Sequence, residues 1–317
     1  MNQEAHFQSP HFNLPRLAEG VYAAIATDGG AAICNAGVID LGGQVIVYDA
    51  FMTPQAARDL RQFVIAEYGR PPHLVINSHG HNDHTWGNQA FLPDTPIIAT
   101  EATRQVMLTE GPAELEEYRA IASERVNNLQ SQLGQAMDEA QRQVLRLWLG
   151  YFKGLVEAFP TLELCPPGIT FTGQLQFYGK RRTARLASYA NAHTASDAAL
   201  FLPDDGIVFM SDLLFTGFHP YLGDGDPIKL VQALQEISQW EAECFVPGHG
   251  QPGNRDDLLL MIDYLQDCQA IAQELARENA TPEEITQTPI PAKYAAWRVG
   301  NYFHSNLRFM VKRINPR

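Results

Sequence analysis

The chain has 317 residues, with 23 Lys and Arg against 36 Asp and Glu, a formal net charge of −13. Hydrophobic residues make up 45% and charged residues 19%, which excludes a disordered chain. The acidic balance argues against a surface for nucleic acid or for an anionic membrane. Ten histidines stand against four cysteines. The cysteines, at 34, 165, 244 and 268, form no CxxC pair, which excludes a zinc-thiolate knuckle. Met1–His6 has neither a basic nor an apolar leader region, and no stretch approaches the roughly 18 apolar residues of a membrane span. The expected location is the cytoplasm.

In chain order, apolar runs over 20–26, 31–41 and 44–51 predict strands, separated by Gly29-Gly30 and Gly42-Gly43. Thr53 as N-cap and Pro54 at the first helical position open a helix with Leu60, Phe63, Val64 and Tyr68 on its apolar face; Gly69 ends it. Short strands are predicted at 74–77 and 96–99. Residues 101–159 carry no strand pattern. Val126, Leu129, Leu133 and Met137, then Leu145, Trp148, Phe152, Leu155 and Phe159, recur at helical spacing. They predict a helical insertion that serves as a structural cover, a lid or a surface for a homo-oligomer.

Strand patterns resume over 162–215. The stretch 200–215 echoes 38–51: strand, turn, strand, then an Asp, with Asp49 and Asp212 in matching places. Asp226-Pro227 opens another helix, 244–246 reads as a strand, and Pro247-Gly248-His249-Gly250 as a tight loop. Helices close the chain over about 254–317, one marked by the capping box Thr281-Pro282-Glu283-Glu284. A single domain over 1–317 is expected.

The chemistry concentrates in His79-Gly80-His81-Asn82-Asp83-His84, directly after a predicted strand. Three imidazoles and a carboxylate packed this closely are costly to bury without a cation, and the donor set suits zinc, manganese or iron. Gly80 is expected to provide a sharp turn on which His79 and His81 converge. His193, Asp212 and His249 have the same character, each near the C-terminal end of a strand, where active-site groups of layered α/β folds gather.

His-x-His-x-Asp-His followed by a distant His, an Asp and Pro-Gly-His-Gly resembles the metallo-β-lactamase fold superfamily, over about residues 12–253. The resemblance implies an α/β fold, a four-layer αββα sandwich of two mixed sheets with helices outside. It also implies two divalent ions, zinc first with iron or manganese as alternatives. His79, His81 and His193 would hold one ion, Asp83, His84 and His249 the other, and Asp212 would bridge them. Asp49 would orient a ligand from behind. Two such ions lower the pKa of a shared water, and the hydroxide attacks a carbonyl carbon or phosphorus. Asp83 would be the catalytic carboxylate, orienting that hydroxide and shuttling a proton.

A bridging Asp and the absence of a ligand Cys disfavour lactam hydrolysis, and His81 argues against a diiron flavoprotein site. The ligand set is glyoxalase II-like, without that enzyme's basic glutathione-binding pattern. The expectation is a metal-dependent hydrolase of a small-molecule ester, thioester, lactone or amide. Its rivals are an iron-dependent oxidoreductase of the persulfide dioxygenase type and a non-catalytic metal-binding protein. On the loop after Asp212, His219 and Tyr221 are the candidate substrate contacts.

Overall fold

The computed structural model describes residues 7–315. The segment Met1–His6, on which the expectation about a leader was read, lies outside the described residues. The chain divides into two compact units, 1–186 and 187–317.

Unit 1 opens with β1 (Phe12–Asn13), β2 (Arg16–Ala18), β3 (Val21–Ala26), β4 (Ala36–Asp40) and β5 (Val45–Tyr48). Strands β3, β4 and β5 pair antiparallel. The strand expected over 31–41 begins only at Ala36, because Ile33 sits at φ 71°, a left-handed conformation that a β-branched residue cannot carry inside a strand. Helix α1 (Pro54–Tyr68) follows as predicted. Thr53 accepts the Ala56 N–H, Gly69 closes the helix at φ 70°, and Leu60, Phe63 and Val64 are buried. The chain then crosses to β6 (Leu74–Ile76), which lies parallel to β5. The short helix α2 (Asn82–Thr85) comes next, then β7 (Ile97–Thr100).

The insertion is helical throughout: α3 (Glu101–Thr109), α4 (Gly111–Gln135) and α5 (Glu139–Ala158). Met137, read as part of an apolar stripe, is 90% exposed. Helix α4 has ended before it, and Asp138 caps the next helix by accepting the Gln141 N–H. Strand β8 (Ile169–Phe171) adds to β7, giving the order β1–β3–β4–β5–β6–β7–β8 with β2 on β3. Strand β9 (Gln174–Tyr178) and the turn at Lys180–Arg182 lead into β10 (Thr183–Ala190). The basic cluster in that turn is engaged locally: Arg181 pairs with Glu19 at 2.8 Å.

Unit 2 continues with β11 (Ser196–Leu202), β12 (Ile207–Phe215), α6 (Pro227–Ile237) and β13 (Cys244–His249). Its strand order is β13–β12–β11–β10. Strands β11 and β12 pair antiparallel, and β12 and β13 parallel. The echo seen in the sequence is therefore topological. Each unit has an antiparallel hairpin, an Asp at or near the end of its second strand, a crossover helix, and a parallel strand leading to histidine. The segment Pro247–His249, expected as a loop, is the continuation of β13, with Pro247 opposite Ser211 and His249 opposite Phe215. Helices α7 (Arg255–Arg277), α8 (Pro282–Gln287) and α9 (Asn301–Ile314) close the chain, and the capping box at Thr281–Glu284 is formed. A core of Leu230, Leu234, Leu258, Leu265, Phe303 and Leu307 unites them with the sheet of this unit.

Candidate metal centre

In unit 1 the ligand candidates leave β6 on Asn77-Ser78 and pass into α2. Asp49, at φ 63° just after β5, is fully buried. It accepts from Ser78 N at 2.8 Å and from Ser78 Oγ at 2.9 Å, and its Oδ2 lies 2.8 Å from His84 Nδ1. Ser78 Oγ, with its proton on Asp49, lies 2.9 Å from His79 Nδ1. Both imidazoles therefore carry their proton on Nδ1 and present the Nε2 lone pair, the tautomer that a metal ligand needs. The His79 ring lies 4.7 Å from that of His81 and 4.3 Å from that of His84. His84 Nε2 is 3.6 Å from Asp83 Oδ2.

The loop is held from two sides. Cys34 Sγ donates to the Asp83 carbonyl at 2.9 Å. Burial pushes the Cys34 thiol up to about 12, so it stays protonated and keeps that donor. Asn82 donates to Glu114 Oε1 at 2.8 Å and to the Tyr151 hydroxyl at 3.0 Å. Gly80 is not in the left-handed region. A Cβ there would come within 3.2 Å of Val106, so the glycine answers to a close neighbour and not, as the sequence suggested, to turn geometry.

In unit 2 the ends of β10, β12 and β13 bring three more candidates together. His193 lies in a turn closed by Asn191 N–H to Ala195 C=O at 3.1 Å. Asp197, buried behind it, accepts from His193 N at 2.9 Å, Thr194 N at 3.0 Å and Thr194 Oγ1 at 2.8 Å. Burial raises the Asp197 carboxyl pKa, and these donors oppose that rise. Asp212 follows Ser211, whose φ of 48° marks a break in the β12–β13 register that turns the carboxylate. Its Oδ2 is 3.3 Å from His193 Nε2 and its Oδ1 is 3.4 Å from His249 Nε2. His249 stacks on Phe215 at 5.2 Å.

These spacings test whether the residues suit a metal. Two ligand atoms each about 2.1 Å from a tetrahedral ion stand roughly 3.4 Å apart. The Asp83–His84, Asp212–His193 and Asp212–His249 pairs, at 3.6, 3.3 and 3.4 Å, have that separation. Each unit's donor set therefore fits divalent ions.

The two substrate candidates part company. His219 is buried, with Nδ1 3.1 Å from the Tyr264 hydroxyl and its ring against Tyr264, Trp297 and Phe303. Burial lowers its pKa to about 4, so it is neutral at pH 7. The His219 backbone N–H donates to the Arg298 carbonyl at 3.0 Å, pinning the loop to the segment before α9. Tyr221 is exposed and sits against Tyr302, with ring centroids 5.8 Å apart.

The family profile of the metallo-beta-lactamase superfamily matches residues 29–249. The chain belongs to the metallo-β-lactamase superfamily. A metallo-β-lactamase from Pontibacter korlensis superposes with a TM-score of 0.58 at 15% identity, covering 80% of this chain and 99% of that one. The inverting sec-alkylsulfatase Pisa1 from Pseudomonas sp. gives 0.68 at 14% identity, covering 96% of this chain and 50% of that one. These likenesses show the fold, the α/β class expected from the sequence. In sequence, the α subunit of 2,4-dinitroanisole O-demethylase from Nocardioides sp. (strain JS1661) is 24% identical over 236 residues, which are 74% of this chain and 54% of that protein. The chain thus spans about half the length of this curated relative. Members of the metallo-β-lactamase superfamily bind metal ions, and candidate His and Asp ligands are present here. Among the described residues no helix is long and apolar enough to cross a membrane.

Proposed function

We propose that the chain is a dinuclear metal-dependent hydrolase of a small-molecule ester, thioester, lactone or amide, working in the cytoplasm. In this reading His79, His81 and His193 would hold one ion, Asp83, His84 and His249 the other, and Asp212 would serve both. The observation that carries this reading is Asp212, whose two carboxylate oxygens each face a different imidazole at ligand spacing. Bound ions, zinc in the first instance, would supply an activated water and a Lewis acid for the substrate oxygen.

The chain's own residues do the rest. Asp83, on the first turn of α2, orients the water and takes its proton at a carboxylate oxygen. Asp49 and Ser78 hold the protons of His84 and His79 on Nδ1, which keeps both Nε2 atoms available. Asp197 fixes the backbone on either side of the His193 ring.

The names of two relatives favour a second substrate class. One is a 2,4-dinitroanisole O-demethylase and the other a sec-alkylsulfatase. Aryl methyl ethers and secondary alkyl sulfates therefore join the esters and lactones as substrates to assay. Zinc-loaded protein is expected to turn over at least one of these classes, to lose the activity to a chelator and to regain it with zinc. Oxygen uptake with a glutathione persulfide by iron-loaded protein, without hydrolysis, would favour the oxidoreductase. Silence in every assay would favour a non-catalytic metal-binding protein.

A further inference from the structure

Helix α4 is long, 25 residues, and buries little of itself: Gly111, Leu115 and Ala122 are its buried positions. Its remaining surface carries a second stripe. Glu114, Glu117, Ile121, Arg125, Asn128 and Gln132 run along a groove of about 560 Å³, whose apolar walls are Tyr118 and Leu129 of the same helix and Trp148 and Phe152 of α5. The spacings within the stripe are three and four residues, the pattern of a helix seam that meets another helix. An apolar residue stands at its centre, acids on the N-terminal side and a base and amides on the C-terminal side. Among the described residues, neither Glu117 nor Arg125 forms an ion pair.

This order is self-complementary. If a second α4 is laid antiparallel across the first about a two-fold axis at Ile121, each residue meets the one equally far on the other side. Ile121 then meets itself. Glu117, four residues before it, meets Arg125, four residues after it, and this happens twice. Glu114 meets Asn128. A two-fold interface requires that a patch match itself, and few helical stripes do so in charge as well as in shape. The area is also sufficient. A helix of this length is about 37 Å long, and two neighbouring helices span roughly 20 Å, close to the ~800 Å² per partner of a stable dimer.

We propose that the α4–α5 face is the seam of a two-fold antiparallel homodimer, centred on Ile121, in which Glu117 of each copy faces the partner's Arg125. Trp148 and Phe152 flank the axis and supply the apolar contact, and the two charge pairs set direction and register. The proposal does not depend on the reading of the metal centre. It gives the helical insertion a purpose that neither a cover nor a lid supplies.

Light scattering coupled to gel filtration of the full chain tests it. The expected mass is close to twice the 35.3 kDa of one chain. Arg125→Glu and Glu117→Arg should each weaken the dimer at least tenfold by placing like charges opposite one another. The double variant E117R/R125E should regain it, because the swapped pairs attract again. Glu114 is left intact, since it already accepts from Asn82. A wild-type monomer at all concentrations overturns the proposal, and so does a dimer indifferent to both single variants. A double variant as weak as the singles overturns the register. Circular dichroism on each variant separates loss of the dimer from loss of α4.

Discussion

Asp212→Asn is expected to lower turnover by about 10³-fold or more, on the order of 4 kcal/mol of barrier, with little change in fold. The carboxylate lies between the imidazoles of His193 and His249, one oxygen towards each, at 3.3 and 3.4 Å. An amide keeps the shape but supplies one oxygen where the proposed centre needs two, and it removes the negative charge that would offset two cations there. Kinetics with an active substrate, together with metal content, measure both effects. Turnover within a few-fold of wild type would remove Asp212 from the ligand set.

Gly248→Ala is expected to destabilise the protein strongly and to disturb the candidate metal centre directly. A Cβ at this position would stand 1.8 Å from Asp212 Oδ1, 2.8 Å from the Ser211 carbonyl carbon and 2.9 Å from Asp212 N. Something must move, and the nearest atom belongs to the central carboxylate. The cost is about 3 kcal/mol, since two of the three neighbours are backbone in paired strands. Metal content should fall with it. Gly168→Ala is the control: a Cβ there meets nothing within 4 Å and its φ is ordinary. Thermal unfolding should separate the two variants by several degrees. Equal midpoints would mean that β13 yields freely at Gly248.

Some of these positions stand out in the sequence and others do not. The cluster His79–His84 is legible because its groups are contiguous, and candidate ligands that are contiguous on a strand-to-helix turn need no knowledge of the rest of the fold. Asp49 and Asp212 were visible through the repeated hairpin pattern, which the structure returns as two matching strand–helix–strand arrangements. Ser78, Cys34 and Asp197 were not singled out. Their importance comes from hydrogen bonds through space, to Asp49, to the Asp83 carbonyl and to the His193 turn. Only Asp197 left a trace, as a carboxylate a few residues beyond the Asn191–Thr194 turn. The glycines show the same limit. Gly80 and Gly248 look alike in sequence. What sets the cost of a side chain is the neighbour, Val106 in one case and Asp212 in the other. Met137 fits the helical period and yet lies in the connection between α4 and α5, because the cap at Asp138 outranks periodicity there.

The most direct measurement is the number of metal ions per chain, by elemental mass spectrometry on purified protein loaded with zinc and freed of excess. A dinuclear centre requires close to two per chain. His193→Ala and His84→Ala, each of which would remove a ligand from a different ion of the proposed centre, should each retain about one. One ion or fewer in the wild-type protein after loading contradicts the dinuclear centre, and so does a full complement of two in both variants.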